Sequence, residues 1–308
     1  MEINGLKLKS GFVSIIGLPN AGKSTFLNAV LNEKLAITSK KPQTTRKNLK
    51  GIYNDEDSQI VFVDTPGINV GETLLDKYMS KSITTSIDDV DAVVVLVDIN
   101  TYEKDDYNKI IKKIRNVNTK KLLLINKFDV YDGNVEDAKN EIIAKFDGST
   151  KFESVIYISA LKNKNIDVAI SAIKNLLDYG VKFYDDNYLT DEPTKKIISD
   201  MVRQQCLYKL DKEIPHSLEV VVDSMKMSKT KCMNILATII CDKESHKKII
   251  IGSKGSMIKN IGTGARISIE KFIDKKVNLK LNVIVKNNWR DEKTLLANFG
   301  YDFSKSTF

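Results

Sequence analysis

Two hydrophobic patterns divide this chain. From Phe12 to about Tyr179, short continuous apolar runs alternate with segments whose apolar residues fall three or four apart. The runs Val13–Ile16, Gln59–Val63, Ala92–Val97, Leu122–Ile125 and Val155–Ile158 read as strands covered on both faces, the signature of a parallel sheet. Between them, Leu74–Ile87, Asp105–Arg115, Val135–Phe146 and Asn165–Asp178 carry helical spacing. This alternation predicts a doubly wound, mostly parallel α/β sheet that binds its ligand at the carboxyl ends of the strands. Leu49–Tyr53 adds a candidate edge strand after a polar loop at Ile37–Arg46.

Beyond Gly180 the pattern changes. Gly180–Pro193 mixes acidic and aromatic residues with little periodicity and reads as a linker. Thr194–Lys212 resumes helical spacing until Pro215, and Leu218–Met225 and Met233–Cys241 read as strands. Asp242–Lys248 leads to Gly252-Ser253-Lys254-Gly255, followed by a helix to about Asn260, a glycine-broken step at Gly262–Gly264 and a second helix through Ile273. Val277–Val285 alternates as a strand. The expected organisation is an α/β domain over 1–180, a linker over 181–193 and a smaller α+β domain over 194–308.

Charge sharpens that division. The 308-residue chain carries +8 overall, but residues 1–180 hold 25 Lys and Arg against 24 Asp and Glu, whereas residues 225–290 hold 15 against 4. A basic half joined to a near-neutral half predicts a polyanionic partner for the second. Three cysteines without paired spacing and two histidines argue against a zinc site and for reduced thiols in the cytosol. Met1–Ser10 has no apolar core, and Ala92–Val97 and Ile235–Cys241 fall far short of the roughly 20 residues of a membrane span. A cytoplasmic protein is expected, with a basic surface able to visit an anionic membrane.

The chemistry begins directly after the first strand. Gly17-Leu18-Pro19-Asn20-Ala21-Gly22-Lys23-Ser24 fits G-x-x-x-x-G-K-[ST], and Thr25 opens a segment of helical spacing. Strand, loop and helix in that order predict a phosphate loop. Its backbone N–H groups would surround a polyphosphate, Lys23 would reach the β- and γ-phosphates and Ser24 would bind Mg²⁺. Asp64-Thr65-Pro66-Gly67 follows the second long strand. Asp64 could hold Mg²⁺ through water, and the Gly67 N–H could meet the γ-phosphate. Asn126-Lys127-Phe128-Asp129 follows the fourth. Asp129 could accept two hydrogen bonds from guanine N1 and N2, which adenine cannot offer. Lys127 would cover the base and Asn126 would tie this loop to the phosphate loop. Ser159-Ala160 follows the fifth strand, where the Ala160 N–H could meet guanine O6.

These stretches in this order resemble the translation-factor-like branch of P-loop GTPases. The resemblance implies a switch threonine in Gln43-Thr44-Thr45-Arg46-Lys47, with Thr45 ahead of Thr44 as ligand to Mg²⁺ and the γ-phosphate. Ras-like enzymes place a water-orienting Gln after the D-x-x-G glycine, and here that position is Ile68. Catalysis would then rest on Lys23, Thr45, Gly67, Mg²⁺ and outside help. In several relatives an Asn at the position of Asn20 helps to bind K⁺, so potassium stimulation is expected. Unassisted turnover should be slow, on the order of 10⁻⁴ to 10⁻³ s⁻¹.

In the basic half, Ile251 and the G-x-x-G loop Gly252–Gly255 resemble the loop of a KH domain. That loop admits a nucleic-acid backbone beside an apolar groove for about four bases. Lys248, Lys254, Lys259 and Arg266 are candidate phosphate contacts. Together with Lys41–Arg46, Tyr188-Leu189-Thr190-Asp191 and Trp289 leading to Phe299-Gly300-Tyr301, these motifs make the chain similar to the bacterial Era family. The resemblance implies GTP and GDP as ligands, binding to the 3′ end of 16S rRNA, a role in assembling the 30S subunit, and peripheral association with the inner face of the cell membrane. A monomer without a DNA partner is expected. Two competing readings are an RNA-binding module that nucleotide only stabilises, and a signalling GTPase whose basic patch serves lipid head groups.

Overall fold

A computed structural model of the chain describes residues 8–68, 71–103, 107–115, 117–146, 150–229 and 231–301. Strands β1 (Lys9–Gly17), β2 (Leu49–Asn54), β3 (Ser58–Asp64), β4 (Ala92–Asp98), β5 (Lys120–Asn126) and β6 (Ser154–Ile158) form one sheet, ordered β2-β3-β1-β4-β5-β6. β2 runs antiparallel at one edge and the other pairings are parallel. Every residue of β3 and β4 is buried, which is why they read as continuous apolar runs.

Helices α1 (Lys23–Leu31) and α5 (Ile166–Leu176) cover one face, with Phe26, Leu27 and Ile173 packed on Val13, Ile15 and Val94. Helices α2 (Leu74–Asp88), α3 (Tyr107–Ile114) and α4 (Val135–Lys145) cover the other, with Ile83, Ile110 and Ile142 against Ile16, Val95 and Leu123. Residues 105 and 106 of the expected third helix lie outside the described residues. Helix α2 opens on a capping box: Thr73 Oγ1 accepts from the Asp76 N–H and Asp76 Oδ2 from the Thr73 N–H. The parallel strands end together, so Gly17, Asp64, Asn126 and Ile158 share one end of the sheet.

The segment read as a linker is a strap laid along the sheet edge. Gln59, fully buried, accepts from the Phe183 and Tyr184 N–H groups at 2.6 and 3.0 Å and donates to the Tyr184 carbonyl at 2.8 Å. Further on, the Ile52 N–H donates to the Leu189 carbonyl at 2.9 Å, Thr190 Oγ1 donates to the Lys50 carbonyl at 2.6 Å, and Lys50 pairs with Asp191 at 2.9 Å.

The second half runs α6 (Thr194–Lys209), β7 (Leu218–Met227), β8 (Met233–Cys241), α7 (Glu244–Ile251), α8 (Ser256–Ile273), β9 (Val277–Val285) and α9 (Lys293–Asn298). Its three-stranded sheet is ordered β7-β8-β9, with β7 antiparallel and β9 parallel to β8. Ile198, Met201, Cys206, Ile239, Ile250 and Ile269 fill the core beneath it. Two expectations are corrected here. Helix α6 ends at Lys209, well before Pro215, because Leu210 turns to extended backbone and buries its side chain. Helix α8 is unbroken across Gly262 and Gly264. A Cβ at Gly264 would come within 2.3 Å of the Gln205 Oε1 on α6. The close approach of α6 offsets the helical cost of a glycine, about 1 kcal/mol.

Candidate functional site

At the carboxyl end of the large sheet lies a cleft of about 690 Å³, whose walls include Asn20, Lys23, Thr45, Asn126, Lys127 and Asp129. Pro19, Gly22, Ser24, Thr25, Gly67 and Ser159 also face it. Gly22, at φ 104°, starts α1, and a Cβ there would meet Asn126 Nδ2 at 2.3 Å. That contact is where the phosphate loop and the N-K-x-D loop meet. Asn126 Nδ2 donates to the Ala21 carbonyl at 2.8 Å while its Oδ1 accepts from the Ala160 N–H at 3.0 Å. Asn126 therefore ties three loops together, and the Ala160 N–H expected to face a base is engaged by it instead. Lys127 lies along the cleft wall, donating to Asp98 Oδ2 at 2.6 Å and to the Asn20 carbonyl at 2.9 Å. Asp129 sits in the short 3₁₀ turn Phe128–Val130 at the cleft.

The phosphate end is built around two buried charges. Lys23, 6% exposed, donates to the Gly17 and Leu18 carbonyls, each at 3.0 Å. Ser24 Oγ donates to Asp64 Oδ2 at 2.6 Å, and Thr45 Oγ1 lies 2.9 Å from Ser24 Oγ and 3.4 Å from Asp64 Oδ2. Thr44 turns away, donating to the Lys41 carbonyl at 2.7 Å. Asp64 Oδ1 is buried with no hydrogen-bond partner among the described residues. Burial pushes the Asp64 carboxyl up to about 6, against the Ser24 hydrogen bond and the Lys23 charge. The same burial lowers Lys23 to about 8, against the attraction of Asp64. Each group is thus driven toward its neutral form, and a cation at Asp64 with an anion at Lys23 would relieve both. Two hydroxyls, a carboxylate and one orphaned carboxylate oxygen suit a hard, oxygen-seeking divalent ion.

Around this centre, Thr65 Oγ1 donates to the Ile15 carbonyl at 2.8 Å, and Pro66 and Ile68 are buried. Ile68 packs with Ile16 and Leu18 and its N–H donates to the Gly17 carbonyl at 3.4 Å. Its side chain is core and has no donor or acceptor for water. Asn20, at φ 65°, donates from Nδ2 to the Lys40 carbonyl at 2.9 Å across the cleft mouth.

The basic half carries the other candidate surface. Gly252–Gly255 joins α7 to α8, with Gly252 and Gly255 at φ 73° and 77°. Lys248, Ser253, Lys254 and Lys259 are exposed, Ile251 is half-buried, and Arg266 pairs with Glu270 at 2.9 Å. Beside them a groove of about 310 Å³ is lined by Ile258, Lys259, Thr263, Arg266, Leu279 and Leu281. Trp289 and Tyr301 are fully buried packing residues.

Sequence reasoning takes the loop Ile37–Arg46 to pass nucleotide state to the basic half, but it does not identify the partners that join the halves. Arg46, 3% exposed, donates from Nη1 to the Leu218 carbonyl at 2.6 Å and to Glu219 Oε2 at 3.2 Å, and from Nη2 to the His216 carbonyl at 2.8 Å. Arg203 of α6 reaches the Thr44 carbonyl, and Lys47 reaches the Phe299 carbonyl. Arginine scarcity was an available signal, because five arginines stand among 48 basic residues. Where lysine is the default cation, an arginine marks a place that needs a planar fork.

The phosphate loop, D-x-x-G, N-K-x-D and the second sheet with its G-x-x-G turn define a P-loop GTPase domain joined to a KH domain. Residues 12–127 match a family described as 50S ribosome-binding GTPase, and residues 213–290 match the KH domain. GTPase Era of Clostridioides difficile is 42% identical over 295 residues, 96% of this chain and 99% of that protein. GTPase Era of a Thermoanaerobacter species is 41% identical, covering 97% and 99%. Two solved structures share the fold. One, Aquifex aeolicus Era bound to GDP and aluminium fluoride, is 31% identical with a TM-score of 0.91 over 96% of this chain and 100% of that one. The other, Era with MgGDPNP and nucleotides 1506–1542 of 16S ribosomal RNA, is 32% identical with a TM-score of 0.92 at the same coverage. The chain belongs to the Era GTPase family.

Proposed function

We propose that this protein is a Mg²⁺-dependent GTPase whose nucleotide state times the grip of its KH domain on the 3′ end of 16S rRNA during assembly of the 30S subunit. One observation carries the timing: the loop that brings Thr45 to Ser24 and Asp64 also plugs Arg46 into the KH half. A change at the γ-phosphate therefore has a direct mechanical route to the RNA-binding half.

In this mechanism Asp129 selects guanine, Asn126 holds the three loops around it, and Lys127 covers the base. Ser24, Thr45 and Asp64 would hold Mg²⁺, and the ion when bound would supply positive charge against the developing charge of the phosphates. Lys23 leaves the Gly17 and Leu18 carbonyls for the phosphates, and the Gly67 N–H donates to the γ-phosphate. Ile68 supplies no water-positioning group, so intrinsic turnover is slow. Asn20, at the cleft mouth beside the phosphates, is the residue through which K⁺ would speed it; equal turnover in KCl and NaCl would remove that role. Lys248, Lys254, Lys259 and Arg266 steer the RNA backbone along the Gly252–Gly255 turn while Ile251 and the groove receive bases. The same basic face supports a peripheral encounter with anionic membrane. Among the described residues no helix is long and apolar enough to cross one.

The test is RNA binding by the full chain loaded with GDPNP or GDP, using an RNA of the 16S 3′ end and a scrambled control. Tighter binding of the 3′-end RNA in the GDPNP state supports the timer. Equal affinity in both states removes it and leaves an RNA-binding module that nucleotide merely stabilises.

A further inference from the structure

The loop carrying Thr45 is held from outside its own domain. We propose that Arg203, on α6 in the KH half, is a positioning residue for GTP hydrolysis that keeps Thr45 at the metal-binding cluster. This inference rests on the GTPase reading above. Arg203 is 2% exposed, and its guanidinium is fixed by Asp200 Oδ1, 3.3 Å from Nε and 3.2 Å from Nη2. From there Nη2 donates to the Thr44 carbonyl and Nη1 to the Gln43 carbonyl at 3.4 Å. Nε2 of the adjacent residue, Gln204, and Oη of Tyr208, about a turn further on, donate to the Thr38 carbonyl at 2.9 and 2.8 Å. On the far side of Thr45, Arg46 is buried between the His216 and Leu218 carbonyls and Glu219.

Thr45 is therefore suspended between two arginines that cross the domain boundary in opposite directions. Arg203 reaches out of the KH half to grip the backbone before it, and Arg46 reaches into the KH half from the residue after it. A guanidinium already fixed by Asp200 holds the two consecutive carbonyls in one rigid plane, whereas an ammonium on a flexible stem, although it has three donors, fixes no such plane. Freed of that grip, residues 43–44 keep, among the described residues, only their bonds to Asp76 and Lys41 and lose the one anchor that reaches them from α6, with Thr45 Oγ1 lying 2.9 Å from Ser24 Oγ next in the chain. Misplacement of a metal or phosphate ligand by about 1 Å costs roughly 10²-fold in rate. Among the described residues Arg203 does not line the cleft, although Tyr208 of the same helix does, and its hydrogen bonds go to the loop of Gln43 and Thr44, so GDP binding should be indifferent to Arg203.

The experiment measures, for the full chain, single-turnover GTP hydrolysis, its Mg²⁺ dependence and the Kd of fluorescent GDP. It compares wild type, Arg203→Met, Arg203→Lys, Thr45→Ala and the Thr45→Ala/Arg203→Met double variant. Arg203→Met should lower the hydrolysis rate by about tenfold and raise the Mg²⁺ needed, with Arg203→Lys losing about threefold, while GDP affinity stays within about twofold. In the Thr45→Ala background, Arg203→Met should change nothing further, because it acts through Thr45. The proposal is overturned if GDP affinity falls in step with rate, if the two substitutions multiply in full, or if neither Arg203 variant changes the rate. If Arg203→Met does not fold, Arg203→Lys decides by the same criteria. A wild-type chain that binds no GTP would sink the GTPase reading, and this inference with it, before any variant is compared.

Discussion

The two candidate surfaces handle charge in opposite ways. At the phosphate end of the nucleotide cleft one lysine, Lys23, and one carboxylate, Asp64, are buried and each is pushed toward its neutral form. On the Gly252–Gly255 face the lysines are many and exposed, and none of their partners fixes a ligand geometry. A small ligand with a fixed shape is recognised by a few prearranged groups, each expensive to bury alone. A flexible polyanion is held by many solvated cations, each contributing a little. Substitutions in the first should therefore act steeply and on one ligand, and those in the second gradually and through salt.

The steepest break is Asp129→Asn. It should weaken GTP by roughly 10³-fold and favour xanthosine triphosphate, as expected when a buried-type polar match is inverted. Competition binding with the two nucleotides checks this, and unchanged GTP affinity would remove Asp129 from the base site. Next, Gly252→Asp with Gly255→Asp should lower affinity for the 16S 3′-end RNA by about two orders of magnitude, since two anions now face the phosphate path. GTP hydrolysis without RNA should not move. Loss of vesicle binding with RNA binding intact would instead assign the face to lipid head groups.

A smaller effect separates ligand preference from stability. Asp64 carries a folded pKa near 6 against an ordinary 3.8. Its folding contribution is thus fully present below about pH 3.8 and is lost as pH rises through 6. Asp64→Asn should stabilise the nucleotide-free protein at pH 7 by about 2 kcal/mol. That is about 3 from the pKa displacement, offset by about 1 for the Ser24 hydrogen bond. The gain should vanish at pH 4 in denaturant melts, while Mg²⁺ dependence of GTP binding is lost. A gain that persists at pH 4 would mean that the burial of charge is not its source. The gentlest change is Lys254→Gln, expected to make the slope of log RNA affinity against log salt shallower by about 0.7.

Much of this was legible because it is local. Gly17–Thr25, Asp64–Gly67 and Asn126–Asp129 each occupy a few consecutive residues after a strand, and a buried strand announces itself by its apolar run. The edge strand at Leu49 and the alternation of Val277–Val285 were legible for the same reason. The unbroken course of α8 was not, because one of the glycines that suggest a break there, Gly264, serves the approach of Gln205 on α6 from about sixty residues earlier in the chain. Composition does not separate Thr44 from Thr45; the resemblance put Thr45 first, and in the structure the Thr45 hydroxyl is the one beside Ser24 and Asp64. Arg46 stood inside a motif and arginine scarcity marked both, but that Arg46 and Arg203 work as a pair was not legible, since most of their bonds across the boundary go to backbone carbonyls, which every residue offers. Side chains that recognise other side chains leave motifs, and side chains that grip backbone do not.

The strap from Phe183 to Asp191 has a practical corollary. β2 is the antiparallel border of the large sheet, and a bare border strand offers unpaired N–H and C=O groups to any neighbouring chain. The strap occupies that border through Ile52 and Lys50, and is held further along by Gln59 of β3. Cutting the chain at Gly180 to isolate its first half would strip the border and invite self-association. A fragment ending after Glu192 would keep that border covered, but it would bare Leu35 and lose the grip of α6 on the loop that carries Thr45, so the full chain is the piece in which hydrolysis should be measured.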